Sequence, residues 1–279
     1  MVTQGLGYLL FTLVLVGFVL MAQSDRKELA LWGSFPLLFF GFITYTFFAG
    51  RYLNPILPSL AAAAGLSVSA LEARFGRRAA IVVTLLACLQ PLYGSIQVDR
   101  LFAKEDTRTL AREWVVDNVA PGATFALQSY SVPLPQSRDS LLDSLEANDA
   151  VDELDRRGKY ASLLGVAEGE AISYPLVFLG KGDELNRIYV GYEELADGFE
   201  PLVERGVVNI ILRRPPIPPP PAVKALFART AREGELLTTI SPFTSDRETK
   251  PYLDNEDWAP SATLSHKGPR IEIWSLEAP

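Results

Sequence analysis

The chain of 279 residues is 48% apolar and carries a net charge of −7, but the charge is divided: residues 1–100 hold seven Lys/Arg and four Asp/Glu, residues 101–279 hold 19 and 29. An apolar, mildly basic part followed by a polar, acidic one implies two solvents, and the acidic part excludes a nucleic-acid partner, which needs a Lys/Arg surface to displace counterions. A single cysteine, Cys88, and a single histidine, His266, exclude a disulfide framework and a Cys or His zinc cluster, and no metal or other cofactor is expected.

Four uncharged runs occupy the first hundred residues. Gly5–Ala22 has 18 residues, near the minimum for a hydrocarbon core of about 30 Å. Leu29–Phe48 is rich in Phe and contains Pro36, tolerated in lipid where neighbours satisfy the freed carbonyl. Leu53–Leu71 opens on Pro55 and Pro58 and continues through Ala61–Ala64, small residues that allow close helix approach. Ala79–Val98 is the fourth. Buried helices of a soluble protein are the alternative, but four such runs would leave little polar surface.

The loops set an orientation. Gln23–Glu28 and Glu72–Arg78 are short and basic, hence expected in the cytoplasm. Both termini then lie outside. A signal peptide would need a positive n-region, which Met1–Gln4 does not supply. The chain is therefore read as a multi-pass membrane protein with residues 99–279 outside the cytoplasm.

The acidic part alternates helix and strand signals. Asp106 caps a helix running to Val119, and Ala120-Pro121-Gly122 stops it before a strand at Thr124–Gln128. Leu141–Leu164 reads as helix with an interruption at Gly158, and Leu176–Leu179 as strand. Short helical segments at Tyr192–Phe199 and Glu200–Gly206 precede Val207–Leu212, whose unbroken apolar run suits a central strand covered on both faces. Ala222–Gly234 is helix, Leu236–Ser241 and Arg270–Leu276 are strands. The expected fold is an α-helical membrane domain of about four transmembrane helices over 1–98, then an extracytoplasmic α/β domain with a mostly parallel sheet over 99–279.

Site motifs are sparse. Any Cys–His or Ser–His–Asp arrangement would have to use His266, which sits in a turn-like Ser-His-Lys-Gly-Pro segment. Pro215–Pro221 is a polyproline segment, read as a stiff connector rather than a ligand for aromatic grooves. The acidic loop Thr244–Thr263 lacks the regular carboxylate spacing of a calcium loop. Gly180-Lys181-Gly182-Asp183 lacks both nucleotide fingerprints.

One linear pattern stands out. Arg51-Tyr52-Leu53-Asn54-Pro55-Ile56-Leu57-Pro58 resembles the RY-x-x-P-x-x-P segment of polytopic glycosyltransferases, bacterial relatives of dolichyl-phosphate-mannose protein mannosyltransferases and lipid A aminoarabinose transferases. Asp106-Thr107-Arg108, Ala111, Trp114 and Asn118–Gly122 look like the stretch after that family's last helix. Gly268-Pro269-Arg270-Ile271-Glu272-Ile273-Trp274 is similar to its closing strand. The resemblance implies sugar transfer from a polyprenyl-phosphate carrier, with Arg51 and Tyr52 at the lipid phosphate. Arg51 also fits an interfacial arginine reaching to headgroups. The family's acid lies in an early outer loop. Here Met1–Gln4 and Ala49–Tyr52 hold no Asp or Glu, and Asp99, Glu105 and Asp106 match no motif for that base. The chain is thus expected to be the C-terminal part of such a transferase without its catalytic half. It would act as an accessory or structural subunit among lipids and other integral membrane proteins, or as one piece of an active enzyme.

Overall fold

The structure, a computed structural model, describes residues 6–24, 26–45, 54–151, 158–214, 218–245 and 264–276. It divides into two compact units, one built on residues 1–103 and the other on 104–252 with 264–279.

The first unit is helical: α1 (Tyr8–Ser24), α2 (Arg26–Tyr45), α3 (Leu57–Phe75) and α4 (Arg77–Phe102). Small residues decide its packing. Gly17 of α1 lies against the carbonyl of Ala63 on α3, so closely that a Cβ there would overlap it. One turn away, the buried Ser67 hydroxyl donates to the Leu13 carbonyl at 2.6 Å. Leu13, Val14, Met21, Ala63, Ala64 and Ala87 form the interior around this seam. Gln90 of α4 accepts from the Tyr8 N–H at 3.0 Å, satisfying one of the donors that the first turn of α1 leaves open. Gly76, at φ +85°, ends α3 and lets α4 start at once.

Two helices are long and apolar enough to cross a membrane: Asn54–Phe75, which is α3 with its leading turn, and Arg77–Phe102. Of the other two runs, the first makes a shorter apolar helix and the second a helix that is not among the candidate spans. α1 has 17 residues, about 26 Å at helical rise. α2 has 20, but opens on Arg26-Lys27-Glu28. The fourth expected span extends to Phe102 rather than Val98.

The second unit is α/β: α5 (Thr107–Asn118), β1 (Thr124–Gln128), α6 (Arg138–Ala147), α7 (Gly158–Gly169), β2 (Leu176–Leu179), β3 (Tyr189–Val190), α8 (Glu200–Val203), β4 (Val207–Arg213), α9 (Pro221–Glu233), β5 (Glu235–Ile240) and β6 (Ile271–Ser275). The strand order is β3-β2-β1-β4-β6-β5. β1 pairs in parallel with β2 and β4, and β2 with β3, whereas β6 is antiparallel to both β4 and β5. The sheet is therefore mixed, with three parallel and two antiparallel pairings, where a mostly parallel sheet is expected from the sequence. β1 and β2 are joined through α6 and α7 and β4 and β5 through α9, whereas β2 runs on to its parallel neighbour β3 through residues 180–188 without a helix.

Strand alternation sends the two halves of each apolar run to opposite faces. Ala126, Val177, Leu179, Ile210 and Leu212 pack with Leu226 and Phe227 of α9. Phe125, Leu127, Leu176, Phe178 and Ile211 pack with Ala111 and Val115 of α5. Ile210, Ile211 and Leu212 are fully buried, so β4 is the doubly covered strand its composition implies. The helix expected over 141–164 with an interruption at Gly158 is described as α6 and, from Gly158, α7, while residues 152–157 lie outside the described residues. The first ends before Asn148, and Asp149 takes φ +51°. Tyr192–Phe199 forms turns rather than helix, and β3 has only two residues, too few for a periodic signal.

Candidate functional site

Arg51 and Tyr52, the expected lipid-phosphate residues, lie outside the described residues, as do the carboxylates of the 244–263 loop. The other named groups have structural employment. Asp106 caps α5, its carboxylate accepting from the Arg108 N–H at 2.8 Å. His266 stands with Nδ1 3.2 Å from the Glu105 carbonyl oxygen, while its own N–H donates to the Pro242 carbonyl. Cys88 is exposed on α4. Gly180, at φ +105°, faces the Tyr192 ring, and a Cβ at Gly182 would overlap the Tyr189 ring. These two glycines make room for tyrosines, not for phosphate. Among the described residues no three His, Cys, Asp or Glu side chains gather as a metal site.

Two of the sequence patterns meet. The Asp106-Thr107-Arg108 start of α5 packs on Lys267-Gly268-Pro269, the lead-in to β6. The Thr107 N–H donates to the Lys267 carbonyl at 2.7 Å, and the buried Thr107 hydroxyl donates to the Pro269 carbonyl at 2.7 Å. Gly268 takes φ +102°, and a Cβ there would overlap the Thr107 hydroxyl and the Asp106 carboxylate. Segments 162 positions apart thus form one joint, which ties the first helix of the unit to its last strand.

The carboxyl ends of the parallel strands, where open α/β sheets commonly bind ligands, are closed by Gln128. Its Oε1 accepts from the Arg213 N–H at 2.7 Å and its Nε2 donates to the Tyr192 hydroxyl at 3.2 Å. Just beyond, Tyr130 is 82% exposed at φ +61°.

A cleft of about 260 Å³ opens over the Phe178 face of the sheet, between α5, α6, α7 and the segment leading into β3. Its apolar floor includes Leu176 and Phe178, and its polar lining includes Arg112, Gln136, Glu170, Asn186 and Arg187. The Arg187 guanidinium lies 4.5 Å over the Phe178 ring and makes no ion pair among the described residues. Arg112 reaches Glu170 at 3.9 Å, a loose pair with both partners partly exposed. Asn186 is only 8% exposed, and its buried Oδ1 has no hydrogen-bond partner. The segment is held in place by Asn148, whose Nδ2 donates to the Leu185 and Arg187 carbonyls at 3.2 and 3.1 Å. No linear motif marks this site, because its polar residues come from four separate stretches between positions 112 and 187.

Beneath the same face, the Tyr174 ring meets Phe125 edge-on at 5.2 Å. Its hydroxyl is buried without a partner, and burial pushes its pKa above the usual tyrosine value. No family model matches the chain, and neither curated proteins nor solved structures gave a match.

Proposed function

We propose that this protein is a membrane-anchored accessory or structural subunit of a larger membrane complex, built on the scaffold of the C-terminal part of a lipid-linked-sugar transferase. One observation carries the reading: the apolar side chains of the helical unit point outward. On α2, Leu31, Leu37 and Leu38 are 70%, 76% and 74% exposed, and on α4 Leu85 and Leu89 are 62% and 56% exposed. A water-facing surface of that kind is untenable, whereas lipid or partner helices would cover it. In this reading all four helices are inserted, the N-terminus is outside, and the α/β unit is periplasmic in a bacterial inner membrane. The chain itself has no catalytic role in this reading, and its helices pack against other integral membrane proteins. Purification in a mild detergent should recover the chain with other integral membrane proteins; a lone monomer would sink the subunit reading.

The joint between Asp106-Thr107 and Gly268-Pro269 favours a second reading, in which the chain is one piece of an active polyprenyl-phosphate-sugar-dependent glycosyltransferase. Patterns that resemble one family at distant positions pack on each other, as parts of one inherited domain would. Arg51 and Tyr52 then hold the carrier phosphate, and an Arg51→Ala chain should lose retention of polyprenyl phosphate in mixed micelles while the Arg51→Lys chain keeps part of it. Equal retention by all three chains removes Arg51 from that role.

A further inference from the structure

We infer that the cleft over Phe178 is a binding site for a small water-soluble oxyanion, a carboxylate or phosphate on an apolar stem that also carries a hydroxyl or N–H donor. The inference concerns the α/β unit alone and stands or falls separately from either membrane reading.

Each part of the ligand is dictated by a part of the site. The oxyanion is called for by Arg187, a guanidinium that the fold places over an aromatic ring and that makes no ion pair among the described residues. Arg112 stands on the same cleft, its loose 3.9 Å contact with Glu170 easily exchanged for a closer anion. Two arginines so placed suit a planar or tetrahedral oxyanion, to which guanidinium binds in a fork. That the unit is acidic overall makes this local arrangement the more specific. The apolar stem is called for by Leu176 and Phe178 below and by Leu141 and Val166 at the sides. A donor is called for by Asn186, because a buried amide oxygen with no partner costs about 1–3 kcal/mol. The size follows from the volume of about 260 Å³, just under the range of about 300–1,000 Å³ typical of drug-sized ligands.

The site is also preformed. Asn148 fastens the carbonyls on both sides of Asn186. Gln136 is tied through Nε2 to the Ser140 and Ser144 hydroxyls at 3.3 and 3.4 Å. Ser140 in turn accepts from the Leu176 N–H at 3.1 Å. Little conformational freedom is left to lose on binding.

Ligand-observed NMR on the full chain in dodecyl maltoside micelles, with empty micelles as blank, tests the inference. Four probes separate the requirements: 4-hydroxyphenylacetate, phenylacetate without the donor, 4-hydroxyphenylacetamide without the charge, and 4-hydroxyphenyl phosphate. We expect saturable binding of the acid or the phosphate with Kd on the order of 1 mM or tighter, and whichever binds better identifies the oxyanion. The amide should bind at least tenfold more weakly, and phenylacetate several-fold more weakly. Arg187→Gln should weaken the anions at least tenfold and the amide little; Arg112→Gln, at a partly exposed position, provides the same test if Arg187→Gln does not fold. Asn186→Leu should erase the advantage of 4-hydroxyphenylacetate over phenylacetate. No saturable binding of either anion, equal binding of acid and amide, or anion binding unchanged by both arginine substitutions overturns the inference.

Discussion

Thr107 and Pro269 are joined by a 2.7 Å hydrogen bond from the threonine hydroxyl to the proline carbonyl, both buried, with Gly268 held against the same hydroxyl. The contact explains why a glycine precedes the proline. Any side chain at 268 would have to adopt φ +102° and displace either Thr107 or the Asp106 cap. Gly268→Ala should destabilise the α/β unit by about 2–4 kcal/mol, through strain and overpacking together. Thr107→Val keeps the shape and removes the donor, for a loss of about 1–2 kcal/mol. Urea unfolding of the two variants should show this order, and a Gly268→Ala protein as stable as wild type would mean the joint does not form as described.

The helical unit offers a second ordering. Ser67→Ala deletes one interhelical hydrogen bond, expected to contribute about 0.6 kcal/mol in an apolar surrounding. Gly17→Ala removes no hydrogen-bonding group but forces α1 away from the Ala63 carbonyl. Its effect on thermal unfolding in micelles should be the larger of the two, and Gly17→Leu should be larger still.

Tyr174 makes stability fall at alkaline pH. The folded state resists ionising this phenol, so above the ordinary tyrosine value near 10 the unfolded chain binds fewer protons than the folded one. The contribution is complete below that pH and declines as pH rises through and beyond it. Tyr174→Phe removes a buried hydroxyl that has no partner, so it should be close to neutral at pH 7. The variant should unfold less readily than wild type between about pH 10 and 11; identical pH profiles would show that Tyr174 does not titrate with folding.

Gln128 joins the end of β1 to β4 and to Tyr192. Gln128→Ala leaves the Arg213 N–H without its acceptor and should cost about 1–3 kcal/mol. Tyr192→Phe removes only an acceptor at a partly buried position and should cost less, about 0.5–1 kcal/mol. Denaturation midpoints in that order support the bridge.

The sequence discloses this fold unevenly. Strands β1 and β2 are legible to the residue, because Thr124–Gln128 and Leu176–Leu179 are short apolar runs between turn residues. The Asp106 cap is equally plain, since a helix N-terminus needs an acceptor there. The reversal of β6 was harder to read from the strand itself, as Ile271 and Ile273 alternate alike in either direction. The α6–α7 break was hidden by apolar and acidic residues that continue the helical pattern across Asn148-Asp149. The cleft was invisible. Arg112, Asn186 and Arg187 are ordinary surface-type residues in sequence, and only the packing of α5 beside β2 and the β3 lead-in gives them one address.

The placement of β6 between β4 and β5 has a consequence for how the protein is made. β4 and β5 leave the ribosome first, yet they cannot pair with each other, because the sheet reserves a strand's width between them. Among the described residues β5 pairs with β6 alone, so it waits for Ile271–Ser275 to be synthesised before it joins the sheet. A chain stopped before Ile271 would hold a β3-β2-β1-β4 sheet with the backbone N–H and C=O groups of β4 open along one side, a template for pairing between chains. β6 is therefore the strand that closes the edge, and the α/β unit cannot complete its sheet before Ile271–Ser275 has been made.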